Sequence, residues 1–259
     1  MQTKECVNYI TDWLLNYSKQ SKTMGFVVGV SGGIDSAVTS TLASKTGLEV
    51  LCLEMPIHQG INQVNRSNEH INWLKENFNK VSSLSIDLAE TYNCFKQIVG
   101  KDKRDSHQMA LVNSRARLRM TTLYYYAQLN NYLVAGTGNK VEDFGIGFYT
   151  KYGDGGVDLS PIADLLKSEV FELGKELGVS NSILTAAPTD GLWSDNRTDE
   201  DQIGATYPEL EWAMGFEGNA DTLNKRQQEV LEIYNRLNKV NKHKMIPIPI
   251  CKIPNRLKL

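Results

Sequence analysis

Along the first twenty residues, apolar side chains return every three or four positions. Cys6, Ile10, Trp13, Leu14 and Tyr17 fall on one side of a helical turn and predict an amphipathic helix. The period then shortens. Phe26-Val27-Val28-Gly29-Val30 is a brief, β-branched apolar run that predicts a buried strand; it stops at Ser31-Gly32-Gly33, and residues 35–44 read as the next helix. The alternation continues with a strand at 50–53, a helix around 65–79, a strand near 81–86, a helix around 88–98, a long helix from about 108 to 130 and a strand at 132–135. Strands separated by helices of this length need crossover connections, which are right-handed and make neighbouring strands parallel. The expected fold is α/β: a doubly wound, Rossmann-like parallel sheet flanked by helices on both faces.

Beyond Gly136 the rhythm changes to a glycine- and aspartate-rich stretch, Tyr152-Gly153-Asp154-Gly155-Gly156-Val157-Asp158, followed by helices near 165–177 and 221–240. Glycine-rich loops beside strand ends are more often functional than spacers. No repeat, biased tract or Pro-rich linker divides the chain, so residues 1–259 read as one domain. Of its residues 41% are hydrophobic and 22% charged, enough apolar material for one sizeable core. A net charge of −2 argues against a general electrostatic hold on nucleic acid but leaves room for a local phosphate site. Cys6, Cys52, Cys94 and Cys251 lie far apart with no C-x-x-C pair, and read as reduced, mostly buried thiols rather than a zinc or redox site. The N-terminal stretch runs straight into the amphipathic helix, and no apolar run is long enough to span a bilayer, so the expected location is cytoplasmic, with no membrane association.

In open α/β sheets, ligands bind where strand ends turn into helix N-termini. Ser31-Gly32-Gly33-Ile34-Asp35-Ser36 follows a predicted strand at that place, with Gly29 and Val30 leading in. Glycines let the backbone approach an anion, the helix dipole favours negative charge, and two serines add hydroxyls. An isolated Gly-Gly would read more simply as a tight turn with a serine cap. Neither G-x-x-x-x-G-K-[ST] nor G-x-G-x-x-G occurs at the end of a strand. A carboxylate at Asp35 would repel phosphates unless a cation lay between them, and magnesium is the economical choice.

This hexapeptide resembles the S-G-G-x-D-S loop of the ATP pyrophosphatases, whose fold is adenine nucleotide alpha hydrolase-like. Three further stretches resemble the NAD synthetase family: Ala116-Arg117-Leu118-Arg119-Met120; Gly136-Thr137 with Asn139-Lys140 and Glu142; and Thr150-Lys151-Tyr152-Gly153-Asp154-Gly155-Gly156-Val157-Asp158-Leu159. Pro161, Lys167, Pro188-Thr189 and His243-Lys244 also match, so the resemblance runs in the family's order over nearly the whole chain. Gly138 departs from it, since many relatives carry an acid there.

The resemblance implies an ammonia-dependent enzyme that adenylylates the carboxylate of deamido-NAD with ATP and converts it to the amide. It places ATP on Gly29 to Ser36, Thr137, Lys167 and Thr189, and Mg2+ on Asp35 and Glu142, with Asp35 and Lys167 closest to the chemistry. Deamido-NAD falls to Arg117, Lys151, Asp154, Asp158, His243 and Lys244. Without the resemblance, Arg117 would be a solvated helix residue, Thr137 a cap, Glu142 a surface acid and His243-Lys244 a basic tail; Arg119 stays unassigned. The family also implies a homodimer. The first strand reaches the loop by residue 31, which leaves no room before it for the amidase domain of glutamine-dependent relatives, so free ammonia is the expected donor. Two rivals remain: another adenylating enzyme with the same loop, such as a nucleic-acid thiolase, and a non-catalytic nucleotide-binding regulator.

Overall fold

The computed structural model describes residues 1–104, 106–189 and 197–258. Its centre is a four-stranded parallel sheet of β1 (Gly25–Gly29), β2 (Glu49–Glu54), β3 (Val81–Ser85) and β4 (Tyr132–Val134), in the order β3-β2-β1-β4. The chain moves outward from β1 through β2 to β3, then returns to the other side of β1, so the order reverses between β1 and β4.

The period-two alternation of the strands decides which helices cover which face. Phe26, Val28, Val50 and Cys52 point to one face and form a core with α1 (Thr3–Ser21), α2 (Ile34–Lys45), α3 (Ile61–Asn77) and α6 (Lys167–Leu177). Val27, Leu51, Leu53 and Val134 point to the other, against α4 (Ala89–Val99) and α5 (Ser106–Asn130). Phe26, Val27 and Leu53 have no exposed surface, and each such side chain contributes on the order of 2 kcal/mol of apolar burial. The sheet is therefore doubly wound, as expected.

Beyond the sheet, one turn of π-helix at Val141–Ile146 packs with α8 (Asp199–Ile203), α9 (Tyr207–Met214) and α10 (Lys225–Met245) into a third apolar cluster that holds Val141, Ile146, Tyr207, Leu210 and Val230. This layer was largely invisible to periodicity. α7 (Asn181–Leu184), α8 and α9 are too short to display a repeat. Capping chemistry starts two of them: Thr198 accepts from the Asp201 amide and Thr206 from the Glu209 amide, with Pro208 in the first turn of α9. The last long helix begins at Lys225, because Ala220–Thr222 forms a separate 3-10 turn, and it runs on to Met245.

One reading of the thiols is corrected. Cys52 is buried and Cys6 half-buried, but Cys94 and Cys251 are exposed, and all four are free. Among the described residues no helix is long and apolar enough to cross a membrane.

Candidate active site

A cleft of about 290 Å³ opens at the carboxyl ends of β1 and β4, where the strand order reverses. That is where ligands enter doubly wound sheets. Its floor is the turn from β1 into α2: Gly29, Val30, Ser31, Gly32, Gly33, Ile34, Asp35 and Ser36 all line it. The turn braces itself. Ser36 Oγ donates to the Gly33 carbonyl at 3.0 Å and accepts from the Ser31 amide at 3.2 Å, and Gly33 N–H donates to Ser31 Oγ at 3.3 Å. From α3, Arg66 Nε donates to the Gly32 carbonyl at 3.1 Å and Ser67 Oγ to the Val30 carbonyl at 2.9 Å. Gly32 has φ +80°, and a Cβ there would lie 2.5 Å from the Gln63 carbonyl oxygen, so both conformation and space demand glycine. The cap position of α2 is Gly33, which has no side chain to cap the first-turn amides, and Gly33, Ile34, Asp35 and Ser36 all line the cleft.

The chemistry concentrates in one buried cluster. Lys167, the first residue of α6 and 3% exposed, places its ammonium 2.5 Å from Asp35 Oδ2 and 3.0 Å from Glu142 Oε1. Asn139 Nδ2 donates to Asp35 Oδ1 at 3.1 Å, while its own carbonyl oxygen accepts from the amides of Val141 and Glu142 at 3.1 Å, which sets the π-turn carrying Glu142. Burial works against the Lys167 charge, but Asp35 and Glu142 outweigh it and hold its pKa above the ordinary lysine value. Burial also opposes ionisation of both acids. At Glu142 the attraction of Lys167 and a hydrogen bond from Tyr207 prevail and its pKa falls; at Asp35 burial and repulsion from Glu142 prevail over Lys167 and its pKa rises.

Tyr207 was missed by sequence reasoning. It is 4% exposed; its hydroxyl donates to Glu142 Oε1 at 2.5 Å, and its ring centroid lies 4.7 Å from Lys167 Nζ. Burial and the carboxylates Glu142 and Asp199 push its pKa far up, so it donates as a neutral phenol. The Thr206–Glu209 capping box marks the helix, but nothing in the sequence marks that hydroxyl. Gly138 meets an acid in space: a Cβ at 138 would fall 2.1 Å from Asp143 Oδ2. Burial and then Glu142, Asp154 and Asp35 push Asp143 up to about 8.

Thr137 beyond β4, Asp154 and Thr189 line the same cleft; Thr189 Oγ1 donates to the Arg197 carbonyl at 3.1 Å, and Asp154 Oδ1 accepts from the Thr150 amide at 2.9 Å. The remaining predicted residues stand outside it. Arg117 donates to the Lys151 carbonyl at 3.3 Å, Lys151 Nζ to the His243 carbonyl at 2.9 Å, and Lys244 Nζ to the carbonyls of Gly147 and, at 2.7 Å, Tyr149. These four form a basic group joined to the cleft through the 150–156 loop. Asp158 belongs to neither: its oxygens accept from the Val134 amide at 2.8 Å and the Tyr124 hydroxyl at 3.0 Å, closing the outer edge of β4. Arg119 also lines the cleft, donating to the Met55 carbonyl at 3.0 Å and Gln59 Oε1 at 2.8 Å, which ties α5 to the loop after β2.

A family model described as NAD synthase matches residues 6–247. The NH3-dependent NAD+ synthetase of Mesoplasma florum is 37% identical over 245 residues, 94% of this chain and 95% of that protein. That of Syntrophomonas wolfei is 37% identical over the full length of both. Among solved structures, the NMN synthetase of Francisella tularensis superposes with a TM-score of 0.85 at 35% identity, covering 98% of this chain and 99% of that one. The NH3-dependent NAD synthetase of Campylobacter jejuni gives 0.78 at 25%, covering 97% and 100%.

Proposed function

We propose, for a chain that belongs to the NAD synthase family, that it makes NAD from deamido-NAD, ATP and ammonia through an adenylylated carboxylate. The observation that carries this reading is the buried Asp35–Lys167–Glu142 cluster beside the glycine turn, in one cleft at the switch point of the sheet. A carboxylate is a poor acyl donor because its charge is delocalised and oxide does not leave. Activation cures this. A nicotinate oxygen attacks the α-phosphorus of ATP, the bond to the β-phosphate oxygen breaks and pyrophosphate departs. Ammonia then attacks the acyl carbon, AMP leaves with the bonding electrons, and the nitrogen gives up a proton to yield the amide.

The residues suit these steps. Amides of the glycine turn and α2 receive the phosphates, and Lys167, released from its two acids, offsets the charge on departing pyrophosphate. Catalysis by position and charge needs no nucleophilic side chain. A divalent cation fits the donor set: Asp35 and Glu142 are hard oxygen ligands already arranged around one positive charge. Among the described residues no three acids, histidines or cysteines are grouped to hold an ion alone, so phosphate oxygens and water would complete the shell, as Mg2+ prefers. When bound, Mg2+ would supply charge to the phosphates. Arg117, Lys151, His243 and Lys244 would receive the dinucleotide beyond the cleft, Asp154 would meet it at the cleft wall, and Asp158 would shape that wall from behind.

The test incubates the purified chain with deamido-NAD, ATP, Mg2+ and ammonium, following NAD with a dehydrogenase and AMP by chromatography, with glutamine replacing ammonium in parallel. NAD and AMP in equal amounts with ammonium alone are expected; ATP consumption without NAD would overturn the substrate assignment. A second reading takes nicotinate mononucleotide as the acid. It is favoured by the likeness to the NMN synthetase structure. A larger kcat/KM for the mononucleotide would select it. The homodimer is part of the same proposal, with analytical ultracentrifugation as its check.

A further inference from the structure

Asp35, Glu142 and Lys167 come from three distant segments, and something must hold them in register. We propose that Tyr207 is a positioning residue for this centre: its hydroxyl fixes the orientation of Glu142, and its ring seats the Lys167 ammonium between the two acids. The proposal rests on the reading of Asp35 and Glu142 as the cation-binding pair.

The geometry supports the role from both ends of the side chain. A phenol has one proton to give, and it goes to Glu142 Oε1 at 2.5 Å rather than to Asp199 Oδ2 at 3.4 Å. The same Glu142 oxygen receives Lys167 at 3.0 Å. Two donors on one oxygen fix the carboxylate. The face of the ring, 4.7 Å from Lys167 Nζ, adds a cation–π attraction.

Tyr207 itself is rigidly placed. It is the first residue of α9, and its amide donates to Glu200 Oε1 at 2.8 Å. Thr206 caps the helix, Glu209 closes the capping box at 2.8 Å, and Arg226 holds Glu209 with two contacts of 2.7 Å. The ring then packs into the cluster of Val141, Ile146 and Leu210. A residue so anchored transmits the position of the α8–α10 layer to the centre.

The experiment uses the full chain with Tyr207→Phe, which keeps the ring, and Tyr207→Leu, which removes both functions. Mn2+ binding is measured by electron paramagnetic resonance with α,β-methylene-ATP present, and rates are measured against Mg2+. Loss of a hydrogen bond to a buried charged group predicts Mn2+ affinity about tenfold weaker in Tyr207→Phe. The Mg2+ needed for half-maximal rate should rise by the same factor, and excess Mg2+ should restore kcat. Tyr207→Leu should also lower kcat at saturating Mg2+, because Lys167, once the cation has taken its acids, loses the ring beside it. Adding Tyr207→Phe to Glu142→Gln should weaken Mn2+ binding no further. Wild-type Mn2+ affinity in Tyr207→Phe, or a rate loss that Mg2+ does not rescue, would overturn the proposal even if the protein is active. A wild-type enzyme indifferent to Mg2+ would overturn the cation reading itself, and the role of Tyr207 with it.

Discussion

Lys167→Met keeps the apolar stem of the side chain and deletes the ammonium between Asp35 and Glu142. Removing one partner from a buried ion cluster costs about 3–5 kcal/mol, because the charges left behind are unpaired. The two acids are each 17% exposed, so some solvent reaches them and the lower end applies. The penalty also has a ceiling. One acid can take up a proton, at about 1.4 kcal/mol for each pH unit above its ordinary pKa, or roughly 4 kcal/mol for an aspartate at pH 7. A loss of about 3 kcal/mol at pH 7 is therefore expected in metal-free buffer.

The sign of the pH dependence distinguishes this account from a packing defect. In the variant, the folded-state pKa of the proton-accepting acid lies above its unfolded value. Between those two values the fold binds more protons than the unfolded chain and loses stability as pH rises. The deficit should shrink by up to about 2.7 kcal/mol between pH 7 and pH 5. Urea denaturation of both proteins in EDTA at the two pH values measures it. A deficit below about 0.5 kcal/mol at pH 7, or one of equal size at both, would refute the reasoning.

Asp35→Asn should reduce turnover at least a hundredfold, about the loss seen when one preorganised charge is removed, while circular dichroism shows an intact fold; near-normal rates at saturating Mg2+ would exclude a cation role. Gly32→Ala forces a side chain into a positive-φ position already 2.5 Å from the Gln63 carbonyl; it should destabilise the chain by about 2 kcal/mol and weaken ATP binding, as calorimetry would show. His70, 1% exposed and bonded through Nε2 to Ser40 Oγ at 2.9 Å, has its pKa pushed down to about 4, chiefly by burial. The unfolded chain takes up a proton near 6.5 and the fold resists until about 4, so wild type should lose roughly 3 kcal/mol of stability as pH falls through that window. His70→Gln should lose that slope; an unchanged profile relative to wild type would show that His70 is not its source.

The doubly wound sheet was legible in the sequence, because apolar runs such as Phe26-Val27-Val28 and the helices between strands admit few other arrangements. The sequence by itself also located the glycine turn, since Gly32 and Gly33 after an apolar run are local signals. Matching to the family's motifs found Glu142 and Lys167. Only the tertiary structure brought Lys167 across 132 positions to Asp35 and across 25 to Glu142. It alone divided the predicted residues between a cleft and a neighbouring basic group, and put Asp158 against the edge of β4. Tyr207 was legible as a helix start, not as a partner of Glu142. The reason is physical: local periodicity and capping are written in neighbouring residues, whereas the packing of α8, α9 and α10 over the site is a long-range choice. A charge cluster exists only after that choice is made.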